Sequence, residues 1–190
     1  VNKIIQSWPS PIIRDHRIFE NHNDIKELAV ASTEHIDDFN KFIPGKPIID
    51  NKILYNLKSW ILNTVYINAK EINAGLWDKD YTPSFIDMWA WSSSNYNNPL
   101  HSHPNTSWGG VYCLDPGESD PATRNGTTVL YSPLPWGTYF DPGVAFVERQ
   151  CTQTHDLEAG DLLLFPFYIK HTAKYVGNTP RTVIAFNITF

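Results

Sequence analysis

Two histidines one residue apart, in Pro99-Leu100-His101-Ser102-His103-Pro104, are the side chains of this sequence best spaced for chemistry. On an extended backbone, positions i and i+2 project to one face, so both imidazoles can reach a common point. A third histidine, His171, follows Gly160-Asp161-Leu162-Leu163-Leu164-Phe165-Pro166, an apolar run with the length of a buried strand. Neutral imidazole suits Fe, Zn, Cu and Ni. A pair on one strand plus a distant third ligand leaves coordination positions open, as redox chemistry at non-haem iron requires. Spacing alone leaves both a metal site and a structural or surface histidine pair open. The other four, His16, His22, His35 and His155, stand alone in polar or helical surroundings and read as surface residues.

Such a set needs a rigid frame, and the sequence changes style near residue 80. Before it, Trp8-Pro9-Ser10-Pro11-Ile12-Ile13 is an extended segment restricted by proline. A helix is expected near 23–42, capped by Asn23 and stopped by Pro44 and Pro47. A second helix is expected from about Asp50 to Gly75, because Ile53, Leu54, Leu57, Trp60, Ile61, Val65 and Ile67 recur at roughly helical spacing. From Ser84 onward the strand candidates are 84–93, 98–103, 107–114, 127–132, 145–149, 151–156, 160–166 and 170–190. The last is broken by a turn at Gly177-Asn178-Thr179-Pro180, and Asp115 to Asn125 reads as a loop. Many short strands with turn signals between them indicate a sandwich, jelly roll or barrel. One domain over 1–190 is expected, with 1–80 as extended segment and supporting helices and 81–190 as the β core.

Composition narrows the function. Apolar residues make up 42% and aromatics 14%, so large flat side chains must fill a core or line a pocket. A net charge of −5 and a pI near 5.7 argue against a generic polyanion binder, which lowers the expectation of a nucleic-acid partner. Cys113 and Cys151 lie far apart without a CxxC, so neither a zinc ribbon nor a disulfide scaffold is suggested. No apolar run approaches the roughly 20 residues a bilayer requires, and the amino end has no signal-like core. The expectation is a soluble, cytoplasmic protein.

The ordered set of motifs from residue 84 to 190 resembles a family of 2-oxoglutarate/Fe(II) oxygenases. The residues that carry the resemblance are Trp89, Asn98-Pro99-Leu100-His101-Ser102-His103-Pro104, Gly109-Gly110-Val111-Tyr112, Gly160 to Pro166 with His171, and Pro180-Arg181-Thr182-Val183-Ile184-Ala185-Phe186-Asn187. Trp8-Pro9-Ser10-Pro11-Ile12 is similar to the family's opening segment. The resemblance implies a double-stranded β-helix, a cupin-like jelly roll with helices packed on one sheet. It also implies Fe(II) at His101, His103 and His171, 2-oxoglutarate and O2 as co-substrates, and a small-molecule or side-chain substrate. Arg181 would grip the distal carboxylate of 2-oxoglutarate in a bidentate pair, with Tyr112 offering a hydroxyl to the same group. Three departures accompany the resemblance. His103 stands where most of the wider superfamily has a carboxylate, which leaves the site one unit more positive. Val183 replaces a serine, and Trp91 replaces an asparagine. Two alternatives stay open at this point: a three-histidine cupin-like metalloenzyme that does not use 2-oxoglutarate, and a catalytically silent jelly-roll binding module. Trp89, Trp91, Trp108 and Trp136 are candidates for pocket walls.

Overall fold

A computed structural model describes residues 3–7, 10–33, 46–73, 81–133 and 152–190. Its elements are β1 (Lys3–Ser7), β2 (Ser10–His16), α1 (His22–Ser32), a 3-10 turn (Lys52–Leu54), α2 (Tyr55–Ile72), β3 (Ser84–His101), β4 (Trp108–Asp115), β5 (Thr128–Tyr131), β6 (Thr152–His155), β7 (Asp161–Pro166) and β8 (His171–Thr189). The strands form one antiparallel sheet in the order β1-β2-β7-β4-β8-β5-β6, with β3 also paired to β8. It curls into the half-barrel of a double-stranded β-helix, as the mainly β reading of the sequence expects.

Alternation along β8 explains how one sheet serves two purposes. Ile184, Phe186 and Ile188 join the core beneath the helices, whereas Val183 joins a second core on the opposite face. β7 does the same, sending Leu162 and Leu164 to the helices and Leu163 and Phe165 the other way. Burial on both faces is why its sequence is an unbroken apolar run.

The α2 stripe packs on the sheet through Leu54, Leu57, Ile61 and Val65, all fully buried. Ile67 is exposed because it lies about 120° round the helix from Ile61. The helix begins at Tyr55, after a 3-10 turn whose Asn51 side chain accepts from the Ile53 N–H at 3.0 Å. α1 differs from the expectation at its start. Asn23 lies inside the first turn, and the capping position falls to Asn21, whose amide donates to the Ile53 carbonyl at 3.0 Å. That bond ties the two helical segments together.

Two strand expectations fuse into one. Residues 84–93 and 98–101 belong to the single strand β3, which bulges where its register with β8 shifts. The Gly177-Asn178-Thr179-Pro180 signal is a bulge within β8, because pairing steps from Asn95↔Val176 directly to Ser93↔Arg181. Tyr175 organises it: its hydroxyl donates to the Thr179 carbonyl at 2.6 Å and accepts from the Glu118 N–H at 2.8 Å. A Cβ at Gly177 would stand 2.3 Å from that hydroxyl, so no larger residue fits. Residues 10–13 of the proline-restricted segment belong to β2, which pairs antiparallel with β1, a strand the sequence reading missed. Residues 34–45, Gly75, 145–149, Trp8, Trp136, His35 and Cys151 lie outside the described residues. Among the described residues, no helix is long and apolar enough to cross a membrane.

Candidate metal centre

The end of β3 and the start of β8 pair His101 with His171, and the turn after β3 brings His103 back over the sheet. His103 is fixed by its own backbone: its N–H donates to the Phe167 carbonyl at 3.2 Å, and its carbonyl accepts from Thr106 Oγ1 at 2.9 Å. One nitrogen from each of the three rings lies within 4.8 Å of the others. The His103 and His171 rings are nearly parallel, 7° apart, with their Nε2 atoms separated by 3.1 Å. Two metal–nitrogen bonds of about 2.0–2.1 Å, opened to between a right angle and the tetrahedral angle, span roughly that distance.

The outer ring atoms decide where the lone pairs point. His101 Nδ1 lies 2.7 Å from the Pro99 carbonyl and His171 Nδ1 lies 3.2 Å from the Ile169 carbonyl. A carbonyl only accepts, so in the neutral form of either ring Nδ1 carries the hydrogen and Nε2 presents a lone pair. Burial, followed by the nearby charge of His101, pushes His103 down to about 4. Burial, then His101 and His103, holds His171 well below the ordinary histidine range. Both rings are therefore neutral at physiological pH, the form that binds a metal.

These rings open into a cavity of about 70 Å³, several times the roughly 10–15 Å³ that one water needs. Trp89, Trp91, Phe165, Val111 and Val183 give it apolar walls, and Arg181 lies in its lining. Arg181 is only 2% exposed. Its Nη1 donates to the Tyr96 hydroxyl at 2.6 Å, while Nε and Nη2 have no hydrogen-bond partner among the described residues. A buried cation with one free edge is costly unless something anionic completes it, and the Nε/Nη2 edge matches a carboxylate in bidentate fashion. The donor set thus fits both a divalent metal and an acidic co-substrate.

Tyr112 is not part of this arrangement. It is fully buried among the residues beneath the helices, its hydroxyl donates to the Arg17 carbonyl at 2.8 Å, and its ring meets Phe19 and Trp60 edge to face. On β4 it is Val111 that lines the cavity, so the neighbouring Tyr112 points to the other face. The hydroxyl beside Arg181 comes from Tyr96, which sequence reasoning missed. Trp89 and Trp91 do line the cavity, whereas Trp108 packs under the helices.

Among the described residues, His16, His22 and His155 stay outside the cluster. His16 is exposed but lies 2.8 Å from Asp161, and His22 Nε2 sits 3.0 Å from the Leu114 carbonyl. His155 corrects the surface expectation: it is 7% exposed on β6, and burial, then the charge of Arg14, pushes it down to about 4.

Comparison with known proteins bears on the fold and the family. Several solved structures share the fold. AviO1 from Streptomyces viridochromogenes Tue57 is 12% identical with a TM-score of 0.56, covering 95% of this chain and 90% of that one. HygX from Streptomyces hygroscopicus, solved with nickel and 2-oxoglutarate bound, is 11% identical at a TM-score of 0.55, covering 95% and 83%. SnoN, a non-heme alpha ketoglutarate dependent epimerase from nogalamycin biosynthesis, is 11% identical at 0.57, covering 95% and 76%. At such identities they speak for the fold alone. No curated protein matches the sequence. Residues 87–187 match the family described as "Putative 2OG-Fe(II) oxygenase", a span that runs from the tryptophan-rich strand through all three histidines and Arg181 to Asn187. With that match covering more than half of the sequence, the chain belongs to the 2OG-Fe(II) oxygenase family.

Proposed function

We propose that this protein is an Fe(II)/2-oxoglutarate-dependent dioxygenase, acting as a hydroxylase on a small molecule or a side chain. The observation that carries the reading is a single one: a buried guanidinium with a free edge shares a cavity with three convergent imidazoles. His101, His103 and His171 would hold the iron, and Arg181 would hold the far carboxylate of 2-oxoglutarate. Fe(II) held there would supply the power to activate O2, with oxidative decarboxylation of 2-oxoglutarate to succinate and CO2 giving two of the four electrons O2 takes up and hydroxylation of the substrate C–H bond giving the other two.

The chain's own contribution is placement and dryness. The hydrogens on Nδ1 of His101 and His171 keep the Nε2 lone pairs aimed inward. Arg181 fixes the acid at one end and Tyr96 fixes Arg181, so the co-substrate is oriented before reaction. Trp89, Trp91 and Phe165 exclude water from the walls, which strengthens each polar contact inside.

Among the described residues the cluster holds no carboxylate, which favours a second reading, a three-histidine metalloenzyme that works without 2-oxoglutarate. Release of labelled CO2 from 2-oxoglutarate carrying the label at C1 separates the two. The main reading expects release that requires Fe(II) and O2 and disappears in Arg181→Ala while iron remains bound. No release from iron-loaded wild type would leave the second reading standing.

A further inference from the structure

Metal-facing histidines need their outer nitrogens held, and two of the three are held in the same way. His101 and His171 each direct Nδ1–H to the main-chain carbonyl two residues back. His103 stands differently. Because the His171 Nε2 bears a lone pair, the 3.1 Å contact between the two Nε2 atoms requires His103 to donate from its own Nε2. That is the wrong tautomer for a metal ligand. Binding a metal through Nε2 moves the hydrogen to Nδ1, where it needs a new acceptor.

Asn187 is in position to supply one. On β8 it pairs across to Asp87 of β3 on one side and Gly109 of β4 on the other. The His103 ring lies directly over Gly109: a Cβ built there would stand 3.2 Å from its Cδ2 and 3.5 Å from its Cγ. Asn187 is 93% buried, and its Oδ1 has no hydrogen-bond partner among the described residues. A buried amide oxygen left open beside an imidazole is an acceptor in waiting. Its side chain acts on both neighbours. It pulls His103 upward against the lowering by burial, as an accepting amide oxygen does, and it pulls the Asp87 carboxyl downward against the lift from burial, as a donating NH2 does.

We infer that Asn187 is the positioning residue for His103, offering its Oδ1 to the Nδ1–H of the metal-bound ring and its NH2 to the Asp87 carboxylate behind it. The inference rests on the reading of the three histidines as a metal site. It explains why an amide suits the position: asparagine is both acceptor and donor, so one side chain holds the ring with its oxygen and the Asp87 carboxylate with its NH2. The hydrogen leaves Nε2 and returns at Nδ1 through solvent, so the ring stays neutral throughout.

Titration with Co(II), followed by its visible ligand-field bands, tests the assignment without turnover. Asn187→Leu, close in size but without hydrogen bonds, is expected to weaken Co(II) binding by about 10- to 100-fold. Asn187→Asp, a fixed acceptor, is expected to keep affinity within a few-fold of wild type. In a His103→Ala background the leucine substitution is expected to cost nothing more. Nitrogen NMR of the histidine rings, on folded protein checked by circular dichroism, should show His103 as the Nε2–H tautomer without metal and Nδ1–H with Zn(II). Wild-type Co(II) affinity in Asn187→Leu, or an equal loss in the His103→Ala background, would overturn the inference. Failure of wild type to take up Co(II) at all would instead remove the metal reading, and this inference with it.

Discussion

Arg181 donates a 2.6 Å hydrogen bond to the Tyr96 hydroxyl, and the two side chains are buried together, with the Trp91 ring set edge to face against Tyr96. The tyrosine holds the guanidinium but does not neutralise it. Among the described residues no carboxylate lies within ion-pair distance of Arg181. The arginine therefore costs stability in the ligand-free protein and recovers it when an anion binds. Replacing both side chains with apolar ones, Arg181→Met with Tyr96→Phe, is expected to raise ligand-free stability by about 1–4 kcal/mol. The same double variant should lose the thermal protection that 2-oxoglutarate gives wild type. Melting curves with and without 2-oxoglutarate measure both.

Tyr96→Phe alone keeps the charge and removes only its tether. One net hydrogen bond contributes about 0.5–1.5 kcal/mol, so the 2-oxoglutarate dissociation constant is expected to rise roughly 2- to 10-fold. Isothermal titration of the metal-loaded protein reads it, and Tyr112→Phe, whose hydroxyl serves the Arg17 carbonyl, should leave that constant unchanged.

Gly109 and Gly110 are adjacent yet guard different things. A Cβ at Gly110 would meet Phe186 at 2.5 Å and Leu164 at 2.7 Å, inside the core beneath the helices. Gly110→Ala should therefore lower stability by about 1–3 kcal/mol in denaturant titration. At Gly109 the nearest atoms belong to Phe165 at 3.1 Å and His103 at 3.2 Å. Gly109→Ala is expected to cost less stability and to weaken metal binding instead, by displacing the His103 ring.

His155 makes the fold sensitive to acid. Its value is pushed down to about 4, below the ordinary histidine value of about 6.5, so between these two the unfolded chain binds more protons than the folded one. Stability is fully present above about pH 6.5 and falls as pH drops toward 4. His155→Gln should flatten that part of the stability curve, measured by denaturant midpoints from pH 7 to pH 4.

How much of this was legible in the sequence depended on whether it was encoded locally. The His101/His103 spacing and the distant His171 were readable because strand geometry and a buried apolar run are short-range signals. The face of Tyr112 was not, because β4 is buried on both sides and its apolar pattern does not distinguish them. Tyr96 was hidden by the β8 bulge. An unbulged strand would place Arg181 opposite Ala90, whereas the extra residues bring it opposite Ser93 and within reach of Tyr96. The helix start was misassigned for a related reason: Asn21 is committed to the Ile53 carbonyl, a tertiary contact that no capping motif announces.

The central claim is that the three imidazoles and Arg181 act on one co-substrate. Anaerobic titration of the Fe(II)-loaded protein with 2-oxoglutarate, watching the visible metal-to-ligand charge-transfer band, tests it most directly. The account expects a saturable band in wild type, lost in His171→Ala and shifted to much higher 2-oxoglutarate in Arg181→Ala. A wild type that holds iron but develops no band, or an Arg181→Ala variant that titrates like wild type, would contradict it.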